Sequence, residues 1–311
     1  MKKRAIIALL VSLVVMSVVL PALATAPSEN AQAPEQVSAE AESEPEPERE
    51  PEPEAFIYLD GMPQQLEYAL RNGTTYVTVD SFVSMMDPQA AVKEEYGVAS
   101  ISSAKVGQTV DAEGNAVSVV QETFSMAVSI RVPYVVANGR YFYVKDNLIM
   151  LDGRVAAPIR VLAQVFNLNV GFDGRVLLTR AQGGRTYIEP GSSYYDGDTL
   201  YWLSHIINAE SGNQSLDGKI AVGNVVMNRV KDPMFPDTLY GVLYQPNQFG
   251  PISNGSIWDE PNAESVVAAK LVLDGTQILP TALFFNTVGI PCFASMTRPY
   301  ITTIGAHAFY S

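Results

Sequence analysis

Thiols and imidazoles are nearly absent from this chain of 311 residues, which has one cysteine and two histidines. A single thiol, Cys292, cannot form an internal disulfide, so a disulfide-stapled scaffold is excluded. His205 and His307 stand far apart with no cysteine or second histidine beside either. That spacing argues against a zinc site, and no metal or cofactor is expected. Bases are also scarce: 20 Lys and Arg against 33 Asp and Glu give a net charge of −13. No basic stripe is present to neutralise phosphates, so nucleic acid is not expected as a partner. Charged residues make up only 17% of the chain and hydrophobic ones 47%. The length fits about two domains at roughly 100–200 residues each.

The charge is uneven. Residues 1–26 carry Lys2, Lys3 and Arg4 and no acid. An uncharged apolar run from Ala5 to Leu20 follows, and then Ala22, Ala24 and Ala26 offer overlapping A-x-A cleavage sites. This is the layout of a secretory signal peptide. The run falls short of the roughly 20 residues that span a bilayer, so a membrane role is expected only through an uncleaved signal. Residues 27–55 form a Pro/Glu-rich linker with ten glutamates against Arg49. With no apolar period, it is predicted to be a disordered spacer or tether.

From Phe56 to about residue 183, short β-branched and aromatic runs such as TTYVTV and YVVANGRYFYV alternate with Asp-Gly and Asn-Gly turns. That pattern predicts hairpins. Ile159, Leu162, Ala163 and Phe166 share helical spacing. A weak repeat aligns NGTTYVTVDSFVSMM (72–86) with DGRVAAPIRVLAQVF (152–166) without gaps. Each copy reads as a turn, a strand and an apolar helix. The stretch VANGRYFYVKDNLIMLDGRVAAPIRVLAQVFNLNVGFDGRVLLTR resembles the copper amine oxidase N-terminal-like module of secreted Gram-positive proteins. The resemblance implies a β-rich accessory module. It does not imply copper chemistry, because the segment has no histidine.

Beyond Tyr194 the period becomes helical. Asp198 to Glu210 reads as a helix with Asp196 or Asp198 as its cap, and Gly212 as its stop. Leu203, Ile206 and Ile207 lie seven, four and three residues before Glu210, which puts this carboxylate on the apolar stripe. Desolvation and the negative end of the helix dipole would both favour its protonated form, the state a general acid needs. The alternative is a glutamate that bends out to water. Asp217, Asp259 and Glu260 read as charges in helix first turns or cap regions, and His205 as structural or exposed. The run Asp217 to Val230 is almost wholly apolar, with Gly223 permitting close packing, and predicts a buried central helix. A further helix is expected from Asn262 to Leu273, stopping at Asp274-Gly275.

Five segments in order resemble the SleB-type cell-wall hydrolases, the spore cortex-lytic family: INAESGNQSLDGKIAVGNVVMNRV, FPDTLYGVLYQPNQF, PNAESVVAAKLVLDG, ALFFN and IGAHAFY. The resemblance covers about residues 199–310. It implies a lysozyme-like, mainly α catalytic domain over 190–311 that acts on peptidoglycan glycan strands, typically as a lytic transglycosylase. Glu210 matches the family's catalytic glutamate, and Gln248, Phe249, Asn286 and His307 match motifs carried over as substrate-binding or support residues. Gln214 stands where many relatives have a second acid, and Phe293 where they often carry tryptophan. The expected protein is therefore multidomain, with a β-rich α+β accessory domain (56–183) before the lysozyme-like one. It would be exported to the cell wall or spore envelope of a Gram-positive bacterium. The rival expectation is a non-catalytic peptidoglycan-binding or structural wall protein.

Overall fold

Turn chemistry lays out the first half. Asp60-Gly61, Asn72-Gly73, Asn138-Gly139 and Asp152-Gly153 all have positive φ at both residues, the twist of two-residue hairpin turns. The computed structural model describes residues 56–181 and 184–311; the expected signal peptide and linker lie outside them. The strands are β1 (Ile57–Leu59), β2 (Met62–Gln64), β3 (Tyr68–Arg71), β4 (Thr74–Thr78), β5 (Ala91–Glu95), β6 (Val98–Val110), β7 (Ala116–Ser129), β8 (Tyr134–Ala137), β9 (Arg140–Tyr143), β10 (Ile149–Leu151), β11 (Arg154–Pro158), β12 (Leu168–Phe172) and β13 (Val176–Arg180). Helix α1 (Val79–Met86) follows β4, and α2 (Ile159–Val165) follows β11. They form three sheets ordered β12-β13-β1-β2, β10-β11-β4-β3 and β5-β6-β7-β8-β9.

The sequence repeat is a structural one. In the antiparallel β4–β11 pair, Val77 faces Ala157, with Tyr76 opposite Pro158 and Thr78 opposite Ala156. Ala157 is the repeat equivalent of Val77, so a local twofold passes through that pair. The other two pairs are images of each other, as a self-complementary contact requires. The flanking hairpins agree: Arg71 pairs with Thr74 and Leu151 with Arg154. Helices α1 and α2 bury Val79, Phe82, Val83 and Met86, and Ile159, Leu162 and Ala163, at helical spacing. Phe166, which caps α2, is buried with them. The long β6–β7 hairpin inserts between the copies.

The module's core runs past residue 183. Tyr187 is 1% exposed; its ring stacks on Phe124 at 4.1 Å, and its hydroxyl donates to Asp87. Ile188 is also buried in this core.

The second half begins with α3 (Gly191–Tyr194) and continues through α4 (Gly197–Ser211), α5 (Leu216–Lys231), α6 (Leu239–Leu243), α7 (Gly250–Asn254) and α8 (Ala263–Leu273). It ends with β14 (Phe284–Thr287), α9 (Phe293–Thr297), β15 (Tyr300–Ile304) and β16 (His307–Tyr310). The three strands form a small antiparallel sheet ordered β14-β16-β15, so the half is mainly helical with a sheet along its final segment. Asp196 caps α4 by accepting from Thr199 N at 2.8 Å. Asn262, rather than Asp259 or Glu260, caps α8. Helix α5 is the central one. A Cβ on Gly223 would fall 2.9 Å from Ile207 Cδ1 and 3.0 Å from Val272 Cγ2, so glycine lets α4, α5 and α8 meet closely. Its buried amides hold the chain after α8: Asn224 Nδ2 donates to Thr276 O, and Asn228 Nδ2 to Leu279 O and Ala282 O.

The two halves share an interface. Tyr134, Tyr141 and Tyr143 pack against the helical core. Asp274, read from sequence as a helix stop, accepts from Arg140 Nε at 2.7 Å, Tyr141 N at 2.9 Å and the Tyr195 hydroxyl. Its side chain is fully buried. Tyr143 donates to Asp217 at 2.9 Å, so that first-turn carboxylate also joins the halves.

Candidate active site

Glu210 sits in the last turn of α4, with Leu203, Ile206 and Ile207 buried behind it. Its carboxylate is half-buried and, among the described residues, has no hydrogen bond or ion pair. Burial raises its pKa from 4.5 to about 7, while the charge of Arg229 pulls the other way. Among the described residues no second carboxylate contributes to that shift. The shift is a desolvation effect, which leaves a proton available near neutrality.

The helix end that carries Glu210 is fixed from two sides. Asn208 Oδ1 accepts from Asn262 N at 3.1 Å and Ser265 Oγ at 3.2 Å, and Asn262 Nδ2 donates to Gly212 O at 3.0 Å. Gly212 ends the helix in right-handed geometry, not the left-handed cap expected of a glycine stop. Its value is space, since a Cβ would lie 2.6 Å from Asn208 O. Past it, Gln214 Oε1 accepts from Ala306 N at 2.9 Å. The residue that replaces a second acid thus ties the loop after Glu210 to the β15–β16 turn.

Arg229 is the residue that sequence reasoning missed. It is the lone cation amid VVMNRV on the buried helix α5, and that isolation is its only sequence signal. Arg229 Nε donates to Leu283 O at 2.7 Å and Nη1 to Gln248 Oε1 at 3.2 Å. Its guanidinium lies 5.0–5.4 Å from the rings of Phe235, Phe249 and Phe284. Burial lowers its pKa, and the charge of Glu210 opposes that effect.

The four residues carried over from motifs divide by burial. Gln248 is exposed and turned towards Arg229. Phe249 is only 4% exposed, so its ring supports the guanidinium instead of presenting a face to solvent. Asn286 Nδ2 donates to Ile290 O at 2.6 Å and pins the turn after β14. His307 is 7% exposed, its buried Nδ1 has no partner among the described residues, and its ring meets Phe285 edge-on at 5.3 Å. Burial lowers its pKa. Phe249 and His307 are therefore supporting residues and not groups presented to solvent. His205 is structural, with Nδ1 2.8 Å from Ile257 O. An aromatic cluster was also missed: Tyr240 stacks on Tyr244 at 4.2 Å, and Trp202 meets Tyr240, Tyr244 and Trp258 edge-on. Trp258 is 61% exposed and Phe293 is also exposed.

A half-buried carboxylic acid that keeps its proton near neutrality, with the charge of Arg229 acting on it, is suited to acid catalysis. Comparison with known proteins agrees with that chemistry. Residues 213–310 match the family described as Cell Wall Hydrolase; Glu210 lies just ahead of the matched segment. The spore cortex-lytic enzyme of Oceanobacillus iheyensis is 30% identical over 128 residues, which cover 41% of this chain and 46% of that protein. That of Bacillus subtilis is 26% identical over 118 residues, 37% of this chain and 38% of the relative. The chain thus spans less than half the length of these curated relatives. Among solved structures, the catalytic domain of the germination-specific lytic transglycosylase SleB from Bacillus anthracis is 27% identical. It covers 40% of this chain and 100% of its own, with a TM-score of 0.36.

Proposed function

We propose that this chain is an exported peptidoglycan-cleaving enzyme that cuts the glycosidic bond between N-acetylmuramic acid and N-acetylglucosamine as a lytic transglycosylase. The observation that carries the reading is the unpartnered, half-buried Glu210 carboxyl, whose pKa of about 7 leaves it largely protonated below neutrality. In this reading Glu210 first donates its proton to the glycosidic oxygen as the bond breaks. The resulting carboxylate then takes the proton of the muramyl 6-hydroxyl, whose oxygen closes on the anomeric carbon to give a 1,6-anhydro end. Nucleophile and leaving group both come from the glycan, so no second protein carboxylate is required. A retaining glycosidase would need one about 5–5.5 Å away. Such a neighbour would raise the pKa of Glu210 by like-charge repulsion, whereas burial accounts for the rise.

Arg229 stays charged throughout and stabilises the carboxylate after proton donation. It also orients Gln248, which we assign to substrate contact together with Asn286. The exposed rings of Tyr240 and Trp258 supply stacking faces for sugars. The helical half is taken as lysozyme-like and the β-rich half as an accessory module. The setting is the wall or spore envelope, in cortex lysis or wall remodelling.

The test is incubation of the full chain with purified peptidoglycan and mass spectrometry of the soluble products. Anhydro-muramyl ends that vanish in Glu210→Gln support the proposal. Reducing ends would make it a hydrolase. Binding without release from both cortex and vegetative wall would make it a structural wall protein.

A further inference from the structure

The twofold of the β-rich half relates two clefts that differ in charge. The gapless correspondence of 72–86 with 152–166 sets Asp80 against Arg160 and Thr74 against Arg154. One cleft, of about 430 Å³, is lined by Asp80, Glu94, Gly153 and Arg154. Its charges are paired internally, although Asp80 Oδ1 has no hydrogen-bond partner among the described residues: Arg154 Nη1 donates to Asp80 Oδ2 at 2.6 Å, its Nη2 lies 3.5 Å from Glu67, and Glu94 accepts from Val155 N. The mate of this cleft is nearly twice as large, about 820 Å³, and has Arg160, Gly73 and Thr74 at the corresponding places. Arg160 therefore faces a threonine where its counterpart Asp80 has an arginine. Among the described residues Arg160 has no hydrogen bond or ion pair, and neither does Lys145, which lines the same cleft. Asp146 also lines it and pairs with neither cation.

The same cleft has aromatic walls. Phe56 stacks on Tyr68 with centroids 4.8 Å apart and planes at 19°, and Phe172 meets Phe56 edge-on at 6.5 Å. Phe172 is 65% exposed, in a module whose other phenylalanine rings are mostly buried. Tyr143 and Lys145 also line a second cleft of about 530 Å³, which takes in Asp217 and Ile304 of the helical half. The β-rich cleft therefore adjoins the seam between the halves.

We propose that the Arg160 cleft is a second, non-catalytic binding site for a carboxylate-bearing glycan, namely peptidoglycan strands whose stem peptides carry free carboxylates. A planar guanidinium matches a carboxylate with two parallel hydrogen bonds, and Lys145 adds a point charge. Sugar faces lie on the exposed ring of Phe172, backed by the half-buried Phe56. Two unpaired cations against the single carboxylate of Asp146, beside an exposed phenylalanine, select an anionic ligand with apolar faces. The identity of the glycan rests on the function proposed above.

The test uses the full chain carrying Glu210→Gln, so that ligand is not consumed, and soluble uncross-linked glycan fragments with free stem-peptide carboxylates. Hydrogen–deuterium exchange reads segments 143–146 and 168–176 separately from the catalytic half. We expect the glycan to protect both segments, at least tenfold higher glycan to be needed in Arg160→Asp and Phe172→Ser, and Arg160→Lys to recover most of the protection. Melting curves establish that these surface variants fold. Protection that is absent, or that survives both Arg160→Asp and Phe172→Ser, overturns the proposal. So does Arg160-dependent protection by poly(glycerol phosphate) but not by the glycan. Protection already present without ligand and abolished by deleting residues 27–55 would give the cleft to the chain's own acidic segment, which also overturns it. Cleavage by the unsubstituted chain is scored separately. Cleavage without Arg160-dependent protection sinks the second site alone, and protection without cleavage sinks the catalytic reading alone.

Discussion

Replacing Glu210 by glutamine should stabilise the protein at alkaline pH and leave it nearly unchanged at acid pH. Folding raises the pKa of this carboxyl from 4.5 to about 7. Above pH 4.5 the unfolded chain releases a proton that the folded protein keeps until about pH 7. Stability therefore falls across that window and stays reduced above it. Integrated over the shift, the penalty is about 3 kcal/mol at pH 8 and ~0.2 kcal/mol at pH 4. The figure is already net of the attraction of Arg229, because that attraction is among the causes of the shift. Glutamine has the shape of the protonated acid and cannot ionise, so Glu210→Gln removes the penalty. At roughly 1.5–2 °C per kcal/mol for a chain of this size, the variant should melt about 5–6 °C higher at pH 8 and within about 1 °C at pH 4. Calorimetry at both pH values, with the peptidoglycan assay in parallel, measures gain and loss together. A gain equal at both pH values, or a loss at pH 8, would refute the claim that burial holds this carboxyl protonated.

Other consequences are checked more simply. Turnover on peptidoglycan should fall about tenfold per pH unit above pH 7, as expected for a required acid with a pKa of about 7; a profile flat to pH 9 would reassign the acid. Asp274→Ala leaves Arg140, which is mostly buried, without its counter-ion, and should cost about 3–5 kcal/mol in denaturant unfolding. Limited proteolysis of that variant should open the segment between residues 184 and 196. Gly223→Ala forces a methyl against Ile207 and Val272 and should cost about 1–3 kcal/mol by thermal melting, with α4 and its Glu210 displaced enough to slow catalysis.

What was legible in the sequence was local. Asn-Gly and Asp-Gly pairs announced the hairpins because few other dipeptides accept two positive φ values in succession. The spacing of Leu203, Ile206 and Ile207 fixed which face of α4 is buried, and therefore where Glu210 lies. The tight contact at Gly223 was readable from one glycine in an apolar helix. Illegible features depended on chain segments far apart. Asp274 looked like an ordinary helix stop, because its partners Arg140 and Tyr195 are 134 and 79 residues away. Arg229 could not be placed beside Glu210 from its own helix. Phe249 was carried over from a family motif as a substrate-binding or support residue, and it is the support alternative that its burial favours. Its burial follows from the cation above it, which no local pattern encodes. Asn262 took the cap assigned to Asp259 and Glu260, since helix limits shift by a residue or two under tertiary contacts.

The pairing of Val77 with Ala157 bears on how the protein is made. Each copy of the repeat leaves one strand edge that only the other copy can cover, and the two are 80 positions apart in sequence. Delivered N-terminus first, the first copy emerges 80 residues ahead of its mate. During that interval β4 has an open edge on a partly formed core, the condition under which identical chains pair with one another. The intervening hairpin forms through local contacts and can fold first. Order of emergence, as much as final contact energy, then decides whether the β-rich half closes on itself.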